Sequence, residues 1–498
     1  LVVVFDEPVL ISAESLVTAK IQTGIKSFGA YLPARRMLRA AIAEAHAWAF
    51  PSLKSLGKGE RTLCGWDEDV ITMAVEAGRD CLRGMKTEGV SNLNLASTTA
   101  PYADLQNAVI AGYALGLPPS AACGDSGGST RAGIAALAIA CRGGESGDRI
   151  VVAADKRAAK PGSAQEFQYG HGAGAVLIGE GGGLIAGFLG SEAVSLPFID
   201  HFRHEGEKFD YSWEERWVRD EGVAKIVPRT VTALLKRLGI AAERVKHFGL
   251  GGGPIGSDKL VAKALSFAPE SVLPDLQGRV GDCGAAQPLL LLIQALERAK
   301  PGDVIVVGSF AQGCEFTAFE MLQPVSGSSR RGLTGYLARR IEETSYMKML
   351  SFEGHLQLDW GMRAEADQKT ALTQFYRAAD QILAFKGGRC GACQAVQFPR
   401  LPACVNCGAV DSQTPVALMD EPARVATYTA DWLQYCPSPP LYMGLVQFDI
   451  GARILMEMTD VGAKGIDVGT PLEMRLRIKE RDRIRNYDRY FWKAVPIM

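Results

Sequence analysis

Four cysteines packed into one short stretch carry the strongest chemical signal in the sequence. CGACQAVQFPRLPACVNC, residues 390–407, sets Cys390, Cys393, Cys404 and Cys407 in a C-x2-C-x10-C-x2-C pattern, in which two tight turns each present a pair of thiolates to one tetrahedral ion. Closed four-thiolate coordination favours zinc and leaves no position open for a substrate, so the expected metal is structural. Rubredoxin-type iron and a metal-free pair of disulfides are the alternatives. The chain has 11 cysteines; the others are scattered and read as reduced core thiols in a cytoplasmic protein.

A second stretch has the shape of a nucleophile site without the nucleophile. GDSGGSTRAGIAAL, residues 124–137, runs from a glycine turn into an apolar helix, a setting in which helix-start N–H groups face a ligand. The residue at the helix mouth is Thr130. A thiol with a pKa near about 8.5 becomes a thiolate beside a helix N-terminus or a cation, whereas a threonine hydroxyl needs a strong adjacent base. A related turn, VGDCGAAQPLL, places Asp282 and Cys283 before another apolar helix. Asp282 is a candidate base or acceptor, and Cys283 a candidate substitute thiol. Cys123 falls upstream in a predicted strand and reads as a core thiol.

Only 6 histidines exist, so the search for a general base is short. FIDHFRHEGEKFDYSWEERW gathers His201, His204, Tyr211, Glu214 and Glu215; His201 is the candidate base, and a charged, solvated helix is the competing description. His171, in YGHGAGAVLIG, reads as a structural turn residue. His46, His247 and His355 have no neighbouring chemistry.

These residues need a scaffold, and 498 residues suffice for two or three domains. A net charge of −1 gives no long-range field toward nucleic acid or an anionic membrane. No apolar run reaches the roughly 20 residues of a membrane span. LVVVF at the start is cut short by Asp6 and is not expected to be a signal-peptide core; residues 1–22 fit nothing that follows and are set aside. From 23 to 325, short β-branched runs alternate with small-residue helices, the pattern of an α/β domain. GDSGGSTRAGIAALAIACRGGESGDRIVVAAD and GDCGAAQPLLLLIQALERAKPGDVIVVGS repeat the same glycine turn, apolar helix and Gly-Asp-x-Ile-Val-Val strand, which suggests duplicated halves. Residues 326–388 read as a polar tether followed by amphipathic helix, 389–411 as a zinc ribbon, and 412–498 as a small β-barrel of short alternating strands.

The stretches GIKSFGAYLPARRM, GERTLCGWDEDVITMAVEAG, ASTTAPYAD, GDSGGSTRAGIAAL and QYGHGAGAVLIGEG resemble the thiolase superfamily, nearest its 3-hydroxy-3-methylglutaryl-CoA synthase and ketoacyl synthase III branch. The rest of the chain is similar to the zinc-ribbon plus OB-fold proteins that accompany acyl-CoA enzymes. The resemblance implies a duplicated, five-layered αβαβα domain followed by the ribbon and barrel. It also implies a cysteine that attacks an acyl thioester, assisted by a histidine and an asparagine from the second half. Matching Asp125 to the family's aspartate puts Thr130 at the cysteine, Gly251 at the histidine and Asp282 at the asparagine.

The leading expectation is therefore Claisen- or aldol-type chemistry on a CoA thioester, with glycine turns and helix-start N–H groups polarising the carbonyl without a covalent intermediate. The OB-fold domain would help to hold or gate the acyl-CoA. A second reading is a non-catalytic assembly or channelling subunit for a separate thiolase. A third takes the ribbon, barrel and RLRIKERDRIRNYDRYFWK as a single-strand nucleic-acid module, which leaves the first 300 or so residues unexplained. Self-association is implied by the resemblance, since relatives pair through the thiolase-like core.

Overall fold

The computed structural model describes residues 23–143, 147–325, 331–365 and 369–497. Its first half contains strands β1 (Thr23–Tyr31), β2 (Val90–Ala96), β3 (Ala122–Ser126), β4 (Asp148–Lys156) and β5 (His171–Glu180), with helices α1 (Val70–Leu82) and α2 (Ala132–Arg142). The second half contains β6 (Ala186–Ser195), β7 (Val245–Gly251), β8 (Val304–Phe310) and β9 (Gly313–Met321), with α3 (Ala224–Leu238) and α4 (Gln287–Leu296). The duplication read from the repeat is present strand by strand. The first half is ordered β3-β2-β4-β5-β1 and the second β7-β8-β9-β6; an isolated bridge, Phe248 to Val272, marks the place of the fifth strand. In each half the inner pair is parallel and the last two pairings are antiparallel. A two-residue pairing of β1 with β6 joins the halves.

Helices α2 and α4 lie between the two halves of the sheet, α1 covers the outer face of the first and α3 that of the second, so the five layers are helix, sheet, helices, sheet, helix. Small residues make the middle layer possible. A Cβ on Gly133 would sit 2.1 Å from the carbonyl oxygen of Ala285, so the start of α2 touches the start of the α4 region backbone to backbone. At the far end of the sheet, β3 pairs, among the described residues, only with β2, on one of its edges.

Five strands, β10 (Ala423–Asp431), β11 (Leu441–Phe448), β12 (Arg453–Met458), β13 (Pro471–Asp482) and β14 (Tyr487–Pro496), close a barrel in the order β10-β11-β12-β14-β13. The ribbon packs beneath it through Phe385, stacked on Trp492 at 5.7 Å. Its first strand, Lys386–Cys390, begins ahead of the boundary expected at 389.

One expectation from composition changes here. Residues 331–352, expected to be a tether, pack on the α/β domain: strand Ile341–Glu343 pairs in parallel with Arg35–Leu38, and Asp80 and Glu297 accept the N–H groups that open helix Gly332–Ala338. Residues 326–330 and 366–368 of that segment lie outside the described residues. The polar face of β13 lies against the α1 region. Arg475 pairs with Glu76 at 2.6 Å, while Arg477 pairs with Glu68 and Asp460 at 3.1 Å. Asp460 also receives Arg35 and Arg339. These arginines are almost wholly buried. Sequence alternation tells which residues share a strand face; it does not tell whether that face meets water or a carboxylate-bearing helix. Arg475 and Arg477, two of the six arginines in RLRIKERDRIRNYDRYFWK, are thus committed to carboxylates. Among the described residues no helix is long and apolar enough to cross a membrane.

Candidate functional site

Duplication sets the starts of α2 and α4 side by side, and the two mouths are furnished differently. At the first, Thr130 is buried, and its hydroxyl has no hydrogen-bond partner among the described residues. The preceding Ser129 accepts the Arg131 N–H at 3.2 Å and donates to Gln312 Oε1 at 2.9 Å. No base among the described residues is bound to the Thr130 hydroxyl. At Gly251 an added Cβ would meet Gln287 and Pro288 at 3.4 Å, ordinary contact distance, so this glycine leaves room at the second mouth rather than being demanded by a close approach.

The second mouth is closed by the protein's own carboxylates. Asp155, wholly buried at the end of β4, accepts the Ala285 N–H at 2.7 Å, and also Ser97 Oγ, Thr98 N–H, Thr98 Oγ1 and Thr99 Oγ1. Asp282 accepts the Gly284 N–H at 2.9 Å, and Gln287 accepts that of Cys283. The expectation of free donors at both helix starts is thus corrected: at the second, carboxylates already occupy the positions an oxyanion would take. Gly284 adopts φ 56°, and a Cβ there would lie 2.4 Å from Asp155 Oδ2.

Asp282 faces Arg157 at 3.6 Å and remains partly exposed, and it serves as a cap and ion-pair partner. Cys283 is fully buried with its sulfur against Gly172, and desolvation pushes the thiol well above its usual range. It is a core residue; the sequence could not show this, because the turn and the core meet within one residue. Cys123 is half-buried, and burial likewise raises its thiol.

Arg157 joins the mouths to the segment that carries His201. It donates to Tyr169 Oη at 2.6 Å and to Asp210 Oδ2 at 2.7 Å, and Asp210 also takes Arg203. Burial works against the charge on Asp210, but Arg157 outweighs it and holds the carboxyl below the usual carboxylate range. His201 lies in the same segment, nine residues before Asp210. Its own Nδ1 meets Asp200 Oδ2 at 2.7 Å, Asp200 Oδ1 accepts from Gln312 Nε2, and Gln312 leads back to Ser129. Gln312 and Asp200 were missed in the sequence because their contacts join segments far apart in the chain.

The remaining candidates separate cleanly. His204, Tyr211, Glu214 and Glu215 are exposed. His171 is buried; desolvation, with Arg61 beside it, lowers its pKa to about 3, and the neutral ring accepts the Cys64 N–H through Nδ1. His46, read as isolated, meets Glu166 at 2.8 Å and Tyr346 at 2.7 Å, a polar cluster that ties strand Arg35–Leu38 and its helix to the 346–352 helix.

Where the barrel meets the first half, a cavity of about 1040 Å³ is lined by Trp66, Lys156, Glu353, Trp360, Tyr435 and Arg481, among others. Its size suits a cofactor-scale ligand. Lys156 stands between Asp155 and Arg157 in sequence, so successive residues of one strand end face the cavity and the helix mouths. Thr130 itself does not line it.

In the ribbon the four Sγ atoms lie within 4.8 Å of one another, with Cys390 to Cys407 and Cys393 to Cys404 each at 3.7 Å. Zinc at about 2.3 Å from four thiolates requires sulfurs about 3.7–3.8 Å apart, so the residues fit a tetrahedral ion; a disulfide pair does not, since all four cysteines are free. The two turns are copies: Gln394 N–H donates to Cys390 O as Gly408 N–H does to Cys404 O, each at 2.9 Å, and Gln394 and Gly408 both have positive φ. The Ser412 hydroxyl and nearby backbone N–H groups lower the Cys390 thiol to about 6.

Residues 377–411 match the family model described as ChsH2, rubredoxin-like zinc ribbon domain. The chain is 30% identical over 339 residues to the hydroxymethylglutaryl-CoA synthase of Aeropyrum pernix, covering 65% of this chain and 92% of that one. Among solved structures, an HMG-CoA synthase complexed with CoA matches with TM-score 0.57 at 17% identity, over 70% of this chain and 94% of that one. OleA of Xanthomonas campestris, with bound lauric acid and lauroyl-CoA, matches with TM-score 0.54 at 20% identity, over 60% and 99%. The likeness to the solved structures is one of fold, and sequence identity extends it to kinship: this chain belongs to the hydroxymethylglutaryl-CoA synthase family within the thiolase superfamily, with a zinc ribbon and a five-stranded barrel on the same chain.

Proposed function

We propose that the protein makes or breaks a carbon–carbon bond beside the carbonyl of a CoA thioester, in a Claisen- or aldol-type step that forms no acyl-enzyme on Thr130. One observation carries this reading: the Thr130 hydroxyl stands at an uncapped helix mouth with no base against it, while a carboxylate-held imidazole, His201, is wired to that mouth through Ser129. Thr130 then serves as a neutral hydrogen-bond donor to the thioester oxygen, where charge develops. His201 takes or returns the proton on carbon. Asp282 holds Arg157 and the second turn in place, and Cys283 takes no part in the chemistry. The nucleotide end of CoA occupies the cavity between barrel and first half, whose aromatic and basic side chains suit an adenine and its phosphates. The other edge of β3 supports pairing with a second copy.

Incubation with acetyl-CoA plus acetoacetyl-CoA, and separately with hydroxymethylglutaryl-CoA, tests this by CoA release and product mass. The expected result is turnover that Thr130→Ala lowers by no more than about tenfold. A covalent acyl mass on Thr130 would overturn the mechanism. The closed second mouth favours one alternative, a non-catalytic subunit for a separate thiolase; absence of turnover together with co-purification of a thiolase would establish that reading instead.

A further inference from the structure

Gln312 stands in the connection between β8 and β9 with φ 48°, a backbone conformation that side-chain-bearing residues adopt at a cost. Glycine follows it immediately, so no demand for a tight turn explains a long polar side chain there. Its amide does explain it. The oxygen accepts from Ser129 Oγ at 2.9 Å, and the nitrogen donates to Asp200 Oδ1. The other carboxylate oxygen of Asp200 faces His201 Nδ1 at 2.7 Å, and the pair is only slightly exposed. Nε2 of His201 has no hydrogen-bond partner among the described residues. An amide with one fixed donor and one fixed acceptor thus settles the orientation of the whole chain: Ser129 must donate, the carboxylate must accept, and Nδ1 must carry the proton.

We infer that Gln312 and Asp200 are positioning residues that hold His201 as the neutral Nδ1–H tautomer at the mouth of α2, with its bare Nε2 lone pair available to a carbon acid. The inference rests on the functional reading above and adds residues that no resemblance supplied. In the step itself, the C2–H bond of the thioester breaks, the proton goes to Nε2, and the electron pair passes to the thioester oxygen as an enolate. Asp200 balances the resulting imidazolium. Returning the proton to C2 reverses the step, so no further reactant is needed.

The test is exchange of C2 hydrogens of acetyl-CoA for deuterium in heavy water, followed by mass spectrometry with the full-length protein. His201→Gln is expected to abolish enzyme-dependent exchange. Asp200→Asn, which can hold the wrong tautomer, should lower its maximal rate by about a hundredfold, and Gln312→Gly by about tenfold, both with little change in KM. Gln312→Gly keeps the backbone at ease at positive φ, so its melting temperature should not fall; that separates lost positioning from lost structure. Wild-type rates in Gln312→Gly and Asp200→Asn, with wild-type exchange intact, would overturn the inference while sparing the functional reading. Absence of exchange in the wild type with acetyl-CoA, acetoacetyl-CoA and hydroxymethylglutaryl-CoA alike would overturn both.

Discussion

The two helix mouths descend from one repeated unit yet have opposite characters. The start of α2 presents Thr130, whose hydroxyl has no partner among the described residues; the start of the α4 region is filled by Asp155 and Asp282. A helix N-terminus stabilises negative charge regardless of its source. When the charge belongs to the protein, the mouth is a structural joint; when it must come from outside, the mouth is a site. The difference teaches that a repeated sequence unit locates two potential anion sites, while the carboxylates that reach them from other strands decide which stays open.

Changes at the closed mouth should cost the most. Asp155→Ala strands donors from Ser97, Thr98, Thr99 and Ala285 in the core, and is expected to destabilise the protein by about 4 kcal/mol, read as a lowered urea midpoint. Gly133→Ala drives a Cβ onto the Ala285 carbonyl and forces the two helix starts apart, with an expected loss of about 3 kcal/mol and a lower soluble yield. Asp282→Ala removes a partly exposed cap and a long ion pair, so about 1 kcal/mol should be lost, again by urea titration. Thr130→Ala, at the open mouth, breaks no hydrogen bond within the described residues and should shift stability by less than about 1 kcal/mol. If Thr130→Ala proved as damaging as Asp155→Ala, the distinction between joint and site would fail.

Legibility in the sequence followed the distance over which each feature is encoded. The ribbon was readable because its four ligands lie within one short segment, and the doubled domain because each copy spells out turn, helix and strand in order. The register that puts Thr130 at the helix mouth was readable for the same reason. The capping of that helix's twin was not, because Asp155 reaches it from a strand 130 positions away. Nor could Gln312 be recognised, since its two partners come from separate halves of the domain. Cys283 misled because adjacent residues of one turn face opposite ways, one to Arg157 and the other into the core. The polar segment 331–352 misled because buried ion pairs and solvated charge have the same composition.

The arginines of β13 have one more consequence. Alternate residues of that strand, Met474, Leu476 and Ile478, are buried with the barrel's apolar residues, while Arg475 reaches Glu76 on α1 and Arg477 reaches Glu68 just before it. A slip of one residue would thrust guanidinium groups into the apolar barrel and take from Glu76 and Glu68 their partners on β13. The helix of one domain therefore proofreads the strand alignment of the other, so that a correctly assembled barrel is the only one that can dock.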